Sequence, residues 1–269
     1  MTDTAPPVVL VFAGSDPTGG AGIAADIETL MALGCHAAPV ITAVTAQDTT
    51  GLKQFAAVET GLVIAQARAV LEDMPVAAIK TGMLGNRANL AAVATIASDY
   101  ADIPLIVDPV LATGAGDALT DDALEDAYCA LLLPRTRLLT PNSIEAALLA
   151  GGADSVDAQA HALMSCGAEY VLVTGTHAAT ADVVHRLYGH QQLLDTTTQP
   201  RLPHDYHGSG CTLAAACAGG IAQGLAVSDA VRHALTFTWR SLERGHRLGM
   251  GQLLPRRQLH NGSAVRRRS

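Results

Sequence analysis

The run His207-Gly208-Ser209-Gly210-Cys211-Thr212, followed at once by a helix-like stretch from Leu213 to Gly224, has residue types and spacing suited to a phosphoryl group. Two glycines around a small hydroxyl residue let the backbone turn sharply and expose its N–H groups. The first turn of the next helix adds unpaired N–H groups and the positive end of its dipole. Gly208, Ser209 and Gly210 therefore read as an anion cradle. Cys211 sits where a helix terminus typically lowers a thiol's pKa, and so reads as a base. A glycine turn before a helix also arises for steric reasons alone, so this reading draws its weight from the rest of the chain.

Other unusual residues follow short apolar runs. Gly14-Ser15-Asp16-Pro17-Thr18-Gly19-Gly20-Ala21-Gly22 opens a helix but matches neither GxGxxG nor the phosphate loop ending in Gly-Lys-Ser/Thr. It fits a backbone-lined pocket for a small ligand. Gln47 carries an acceptor and two donors on one amide, which match an aminopyrimidine edge, although a solvent-facing loop glutamine has the same sequence. Met83, in Lys80-Thr81-Gly82-Met83, would line an apolar ring site. Asp108, in Asp108-Pro109-Val110, would face a metal–phosphate centre. Asn142 and Glu145 have capping-box spacing, so helix capping explains them without a ligand. Together Asp108 and Glu145 would hold Mg²⁺ directly or through its water shell, since that ion usually keeps several waters.

The elements that must position these groups follow from periodicity. Strands are expected at Val8–Ala13, Ala38–Val44, Ala77–Thr81, Leu105–Val107, Leu138–Thr140 and Val171–Thr174. Helices are expected at Ala21–Leu33, Leu62–Glu72, Asn89–Ser98, Asp122–Leu133, Ser143–Leu149, Ala158–Cys166, Cys211–Gln223 and Ala226–Arg244. Val183–Tyr188 and Gln191–Asp195 resemble a hairpin at an antiparallel sheet edge. The alternation predicts an α/β fold of three layers, a mostly parallel central sheet with helices on both faces. Ligands in such sheets bind beyond the carboxyl ends of the strands, where the unusual residues fall. Residues 1–260 read as one domain, and the basic tail 261–269 as a disordered end.

Composition agrees. Apolar residues make up 49% and charged residues 16% of 269, enough for a large core, and aromatics only 3%, as in a sheet packed by small-faced helices. A net charge of −8 argues against nucleic acid as a partner. Neither a basic leader with an apolar run nor a membrane-spanning stretch is seen, so no membrane partner is expected. The five cysteines show no CxxC spacing and fit reduced thiols in the cytoplasm.

Taken in order, these residues resemble the hydroxymethylpyrimidine/phosphomethylpyrimidine kinases of thiamine biosynthesis, within the ribokinase-like superfamily. The resemblance rests on Ala13 to Gly22, Ala24-Ala25-Asp26, Thr42 to Gln47, Lys80 to Leu84, Asp108 to Val110, Thr140-Pro141-Asn142 with Glu145, and His207 to Thr212. It implies a ribokinase-like fold, a homodimer, and ATP-dependent phosphorylation of 4-amino-5-hydroxymethyl-2-methylpyrimidine and of its monophosphate. By family position, Ala21, Gln47, Met83 and Val110 would contact the pyrimidine. Asp108, Asn142 and Glu145 would organise Mg²⁺ and the ATP phosphates, with Thr174 and Gly175 beside the nucleotide. Gly208, Ser209 and Gly210 would form the anion hole and Cys211 the base.

Two departures stand out. Relatives often carry Lys-Gly-Gly-His where this chain has Thr174-Gly175-Thr176-His177, and another lysine near His233 to Thr236 is missing. Phosphate charge would then fall to Mg²⁺, backbone N–H groups or an arginine such as Arg240. A pyridoxal kinase is the nearest rival, a non-catalytic pyrimidine sensor the second. Cys211 as an acyl-transfer nucleophile is a third, with His207 as its discriminator.

Overall fold

Val8, Leu10 and Phe12 of the first strand face one hydrophobic core, and Val9, Val11 and Ala13 face a second. A strand buried on both faces needs no polar alternation, which is why the sequence here is a continuous apolar run. The computed structural model describes residues 5–111, 122–176 and 180–258.

The strands are β1 (Val8–Ser15), β2 (His36–Asp48), β3 (Gly51–Ala57), β4 (Val76–Thr81), β5 (Leu105–Val107), β6 (Thr136–Leu139), β7 (Tyr170–Val173), β8 (Asp182–Gly189) and β9 (Gln192–Pro200). They form one nine-stranded sheet in the order β3-β2-β1-β4-β5-β6-β7-β8-β9. Strands β1, β2 and β4 to β7 run parallel, while β3 joins one edge and β8 and β9 the other by antiparallel pairing. The helices are α1 (Gly22–Ala32), α2 (Thr60–Leu71), α3 (Arg87–Asp99), α4 (Asp122–Ala127), α5 (Ser143–Leu149), α6 (Val156–Ser165), α7 (Ser209–Ala222) and α8 (Val227–Glu243). Core residues of α1, α7 and α8 cover one face of the sheet, and those of α2, α3, α5 and α6 cover the other.

Small residues make the close layers. A Cβ on Gly220 of α7 would stand 3.0 Å from Ala230 Cβ of α8, so the two helices approach almost backbone to backbone. After β1 the chain builds β2 on one side and then crosses to β4 on the other. This reversal opens a crevice above β1 and β4, the usual ligand position in such sheets.

Two expected elements differ. The stretch anticipated as one helix, Asp122–Leu133, is instead α4, then a π turn at Tyr128–Leu132, then a 3₁₀ turn at Leu133–Arg135. Pro134, which lacks an N–H, sits where the helix would have to continue. Strand β3 was not anticipated, because most of its side chains are exposed and no apolar alternation marks it. The tail 261–269 lies outside the described residues. Among the described residues, no helix is long and apolar enough to cross a membrane.

Candidate active site

The loop from β1 to α1 is organised by one carboxylate. Asp16 accepts from Thr18 N (2.8 Å), Thr18 Oγ1 (2.9 Å), Ala21 N (2.8 Å) and His207 Nε2 (2.9 Å). Burial alone would raise this carboxyl, but the hydrogen bonds from His207, Thr18 and Ala21 hold it below the usual value. The loop then folds tightly back on itself. At Gly22, φ is 57° and a Cβ would fall 2.2 Å from Gly14 O, so only glycine fits.

Two of the four residues expected at the pyrimidine, Gln47 and Met83, reach the end of β1. Gln47 Nε2 donates to Thr45 Oγ1 (2.9 Å), which itself donates to Ser15 O (2.9 Å) at the end of β1. Met83 Sδ stands 3.3 Å from where a Gly14 Cβ would be, and Met83 O accepts from Thr42 Oγ1 of β2. Ala21 caps α1 and abuts Gly208, whose Cβ would lie 3.0 Å from Ala21 Cα.

The anion loop meets this crevice from the far end of the chain. Gly208 caps α7 at φ 81°, and a Cβ there would fall 1.9 Å from Gly20 O. The left-handed turn and the close approach each require glycine. A Cβ on Gly210 would lie 3.7 Å from Asp108 Oδ1, so the first turn of α7 faces the carboxylate that ends β5. The thiol of Cys211 lies near the Gly22 N–H and the Asp108 carboxylate, each close enough to shift its titration. Cys211, Gly22, Gly14 and Met83 thus form a chain of neighbours across the crevice.

The electrostatics correct one expectation. Cys211 is not an activated thiolate at rest. Burial, with the nearby Asp108 and Asp26 charges, pushes its pKa up to about 12, while Lys80 and the Gly22 N–H act the other way. Desolvation outweighs the favourable helix terminus. Beneath the thiol, Lys80 of β4 and Asp26 of α1 form an ion pair with no exposed surface, Nζ lying 2.9 Å from Oδ1. Burial would lower Lys80, but Asp26, then Cys211 and Asp108, hold it charged.

Asp108 is pushed up to about 6 by burial and Glu145 up to about 8 by burial and by Asp108. Glu145 also completes a capping box with Asn142, whose N–H it accepts at 2.9 Å, while Asn142 Oδ1 accepts from Glu145 N at 3.0 Å. Capping thus accounts for the geometry of Asn142, and the raised pKa of Glu145 records its burial and its nearness to Asp108. Val110 follows Asp108 in a tight turn, its N–H donating to Asp108 O at 3.0 Å.

On the side expected for the nucleotide, Thr174 pairs with Asn142 and its N–H donates to Pro141 O at 2.9 Å. Gly175 packs on β8, where a Cβ would fall 2.2 Å from Val184 O. The chain has two lysines, Lys53 and Lys80. One is exposed beside Asp48 and the other buried against Asp26, so neither stands in for the lysines of relatives. Arg240 is exposed in the last turn of α8. Arg201 instead brings a guanidinium to the loop after β7, donating to Thr176 O (2.8 Å) and Thr180 O (2.7 Å). His177 lies outside the described residues. Sequence reasoning missed Arg201, the Asp16–His207 link and the Asp26 partner of Lys80. Aspartate in a glycine loop and lysine inside an apolar strand were the available signals.

Comparison with known proteins gives the family and the fold. The family profile of phosphomethylpyrimidine kinase matches residues 16–255. The hydroxymethylpyrimidine/phosphomethylpyrimidine kinase of Rhizobium meliloti is 39% identical over 256 residues, covering 91% of this chain and 94% of that protein. The Mycobacterium tuberculosis protein of the same name is 41% identical over 256 residues, covering 91% and 92%. Among solved structures, Staphylococcus aureus pyridoxal kinase in complex with AMP-PCP and pyridoxal superposes with a TM-score of 0.84 at 26% identity, over 94% of each chain. Clostridium difficile phosphomethylpyrimidine kinase superposes with a TM-score of 0.74 at 29% identity, over 87% of this chain and 98% of that one.

Proposed function

The chain belongs to the phosphomethylpyrimidine kinase family, and from that premise we propose that it transfers the γ-phosphoryl group of ATP to 4-amino-5-hydroxymethyl-2-methylpyrimidine and then to its monophosphate, in thiamine biosynthesis. The observation that carries this reading is the convergence of Cys211, Gly22, Gly14 and Met83 at the β1/β4 crevice, from opposite ends of the chain. Gln47 offers its amide to the amino and ring nitrogens, Met83 and Val110 flank the ring, and Ala21 closes the pocket beside the reacting carbon.

Phosphoryl transfer through a loose transition state depends on in-line positioning and on neutralising charge over the transferring group. The N–H groups of Gly208, Ser209, Gly210 and Cys211 at the start of α7 point to that charge and need no reorganisation when it develops. The substrate hydroxyl loses its proton late, and the thiolate form of Cys211, which Lys80 and the Gly22 N–H support against the cost of burial, takes it and becomes the thiol. Asn142, Thr174 and Gly175 hold the nucleotide, and Arg201 supplies a cation at the stretch where relatives carry lysine.

Asp108 and Glu145 fit Mg²⁺. They are hard oxygen donors, both buried and both raised by burial with repulsion adding for Glu145, and the nearest buried cation is committed to Asp26. Two carboxylates completed by waters and phosphates suit this ion. When bound, it would spread the charge of the ATP phosphates. A homodimer and a single ribokinase-like domain over residues 1–260 follow from the family resemblance, and the cytoplasm is supported by five unbonded thiols.

A coupled ADP-release assay with the hydroxymethyl pyrimidine, its monophosphate and pyridoxal as acceptors tests the reading. ADP release with the first two supports it. Release with pyridoxal alone would assign the chain to the rival substrate that the superposition on pyridoxal kinase raises. Ligand binding without ADP would mark a sensor.

A further inference from the structure

Among the described residues, the most deeply buried cation outside the Lys80–Asp26 pair is Arg257, 2% exposed and near their end. A guanidinium taken out of water is tolerated only when its donors are matched. Here they are. Nε donates to Thr212 Oγ1 (2.9 Å), Nη1 to Glu28 Oε2 (3.0 Å) and Gly19 O (3.4 Å), and Nη2 to Gly20 O.

Those partners belong to two segments that meet at the candidate site. Gly19 and Gly20 form the turn that Asp16 organises, while Thr212 lies in the first turn of α7 and its hydroxyl donates a hydrogen bond to Gly208 O (2.8 Å). Gly20 O is also the atom packed on the α-carbon of Gly208. Arg257 therefore sits behind a contact where the two glycine turns touch, and binds both sides of it. Its own backbone is fixed. Arg256 N donates to Ser241 O of α8 (2.8 Å), and Leu253 pairs with the 205–207 segment through Leu253 N to Asp205 O and His207 N to Leu253 O (both 2.9 Å).

We propose that Arg257 is a positioning residue for phosphoryl transfer: without touching substrate, it locks the Gly19–Gly20 turn onto the Gly208–Thr212 turn and so keeps the amide hydrogens and the Cys211 thiol aligned with the acceptor hydroxyl. The inference rests on the kinase reading above. A planar fork of five donors reaches several carbonyls and a hydroxyl at once, which lysine's single ammonium does not.

The test uses the full chain, with kcat and KM measured for wild type, Arg257→Lys, Arg257→Met and Thr212→Val well below each melting temperature. If wild type releases no ADP with any acceptor, the kinase reading fails and the role of Arg257 falls with it. With wild type active, Arg257→Met is expected to lower kcat about a hundredfold, the cost of a misplaced cradle, with KM for ATP within about twofold, since the nucleotide residues are untouched. Arg257→Lys falls between. Thr212→Val and Arg257→Lys together are expected to lose less than the product of their separate losses, because both act through one bond. Unchanged kcat per folded molecule in Arg257→Lys, or strictly multiplicative losses, would overturn the proposal. Should Arg257→Met not fold, the lysine variant and its pairing with Thr212→Val decide the matter.

Discussion

Cys211 shows how local identity and three-dimensional environment can pull a side chain in opposite directions. A thiol at a helix N-terminus favours its charged form, yet this one is pushed up to about 12, because burial and two nearby carboxylates cost more than the terminus returns. The consequence for chemistry is that only the minor thiolate form of Cys211 can take the proton of the acceptor hydroxyl, becoming the thiol as it does so. Replacing Cys211 with alanine is therefore expected to lower kcat by about a hundredfold or more, a typical contribution from one positioned base. KM for ATP should hold, since Asn142 and Thr174 are untouched. Steady-state turnover equal to wild type would remove Cys211 from the mechanism. The residue itself, its neighbours Gly208 to Gly210, and the pair Gln47 and Met83 were all legible in the sequence, because glycine turns and strand-end residues announce themselves locally. The raised thiol was not, since its burial and its nearness to Asp108 and Asp26 are properties of the packed molecule.

At the scale of elements, the start of α7 depends on backbone geometry rather than on side chains. Gly208 has φ 81° and leaves no room for a Cβ against Gly20 O. Gly208→Ala should cost about 1–3 kcal/mol of stability from strain and about a hundredfold in kcat from displaced N–H groups, both read from urea unfolding and the ADP assay. A normal kcat would show that the turn is only a cap. The sheet carries a second measurable feature. His185 of β8 is 6% exposed, and burial holds it down to about 4 from 6.5, only partly opposed by Gln199. Its folded value lies below its unfolded one, so its contribution is full above pH 6.5 and is lost as pH falls toward 4. The loss amounts to about 3 kcal/mol at most. His185→Leu should flatten the stability profile over that range, measured as urea midpoints at pH 7 and pH 4.5. An unaltered slope would place the acid sensitivity elsewhere. Element types followed well from periodicity, but β3 escaped because exposure on an edge erases the alternation that marks a strand.

Across the whole molecule, contacts between layers hold the crevice in shape. Lys80 reaches from the central sheet to Asp26 on α1, and both are fully buried. Lys80→Met would strand a carboxylate in the interior and is expected to destabilise the fold by about 3–5 kcal/mol. Adding Asp26→Leu should recover much of that, because two well-packed apolar side chains leave no charge unpaired. A single variant within about 1 kcal/mol of wild type would mean that water or Arg257 compensates Asp26. By itself the sequence determined the alternation of strands and helices, the position of each glycine turn and the chemical types at the strand ends, since these depend on spacing along the chain. Only the tertiary structure decided which distant residues meet: Asp16 with His207 across 191 positions, Lys80 with Asp26, and Arg257 with both glycine turns. Such pairings are set by how the layers pack and exclude water, and no local pattern records them.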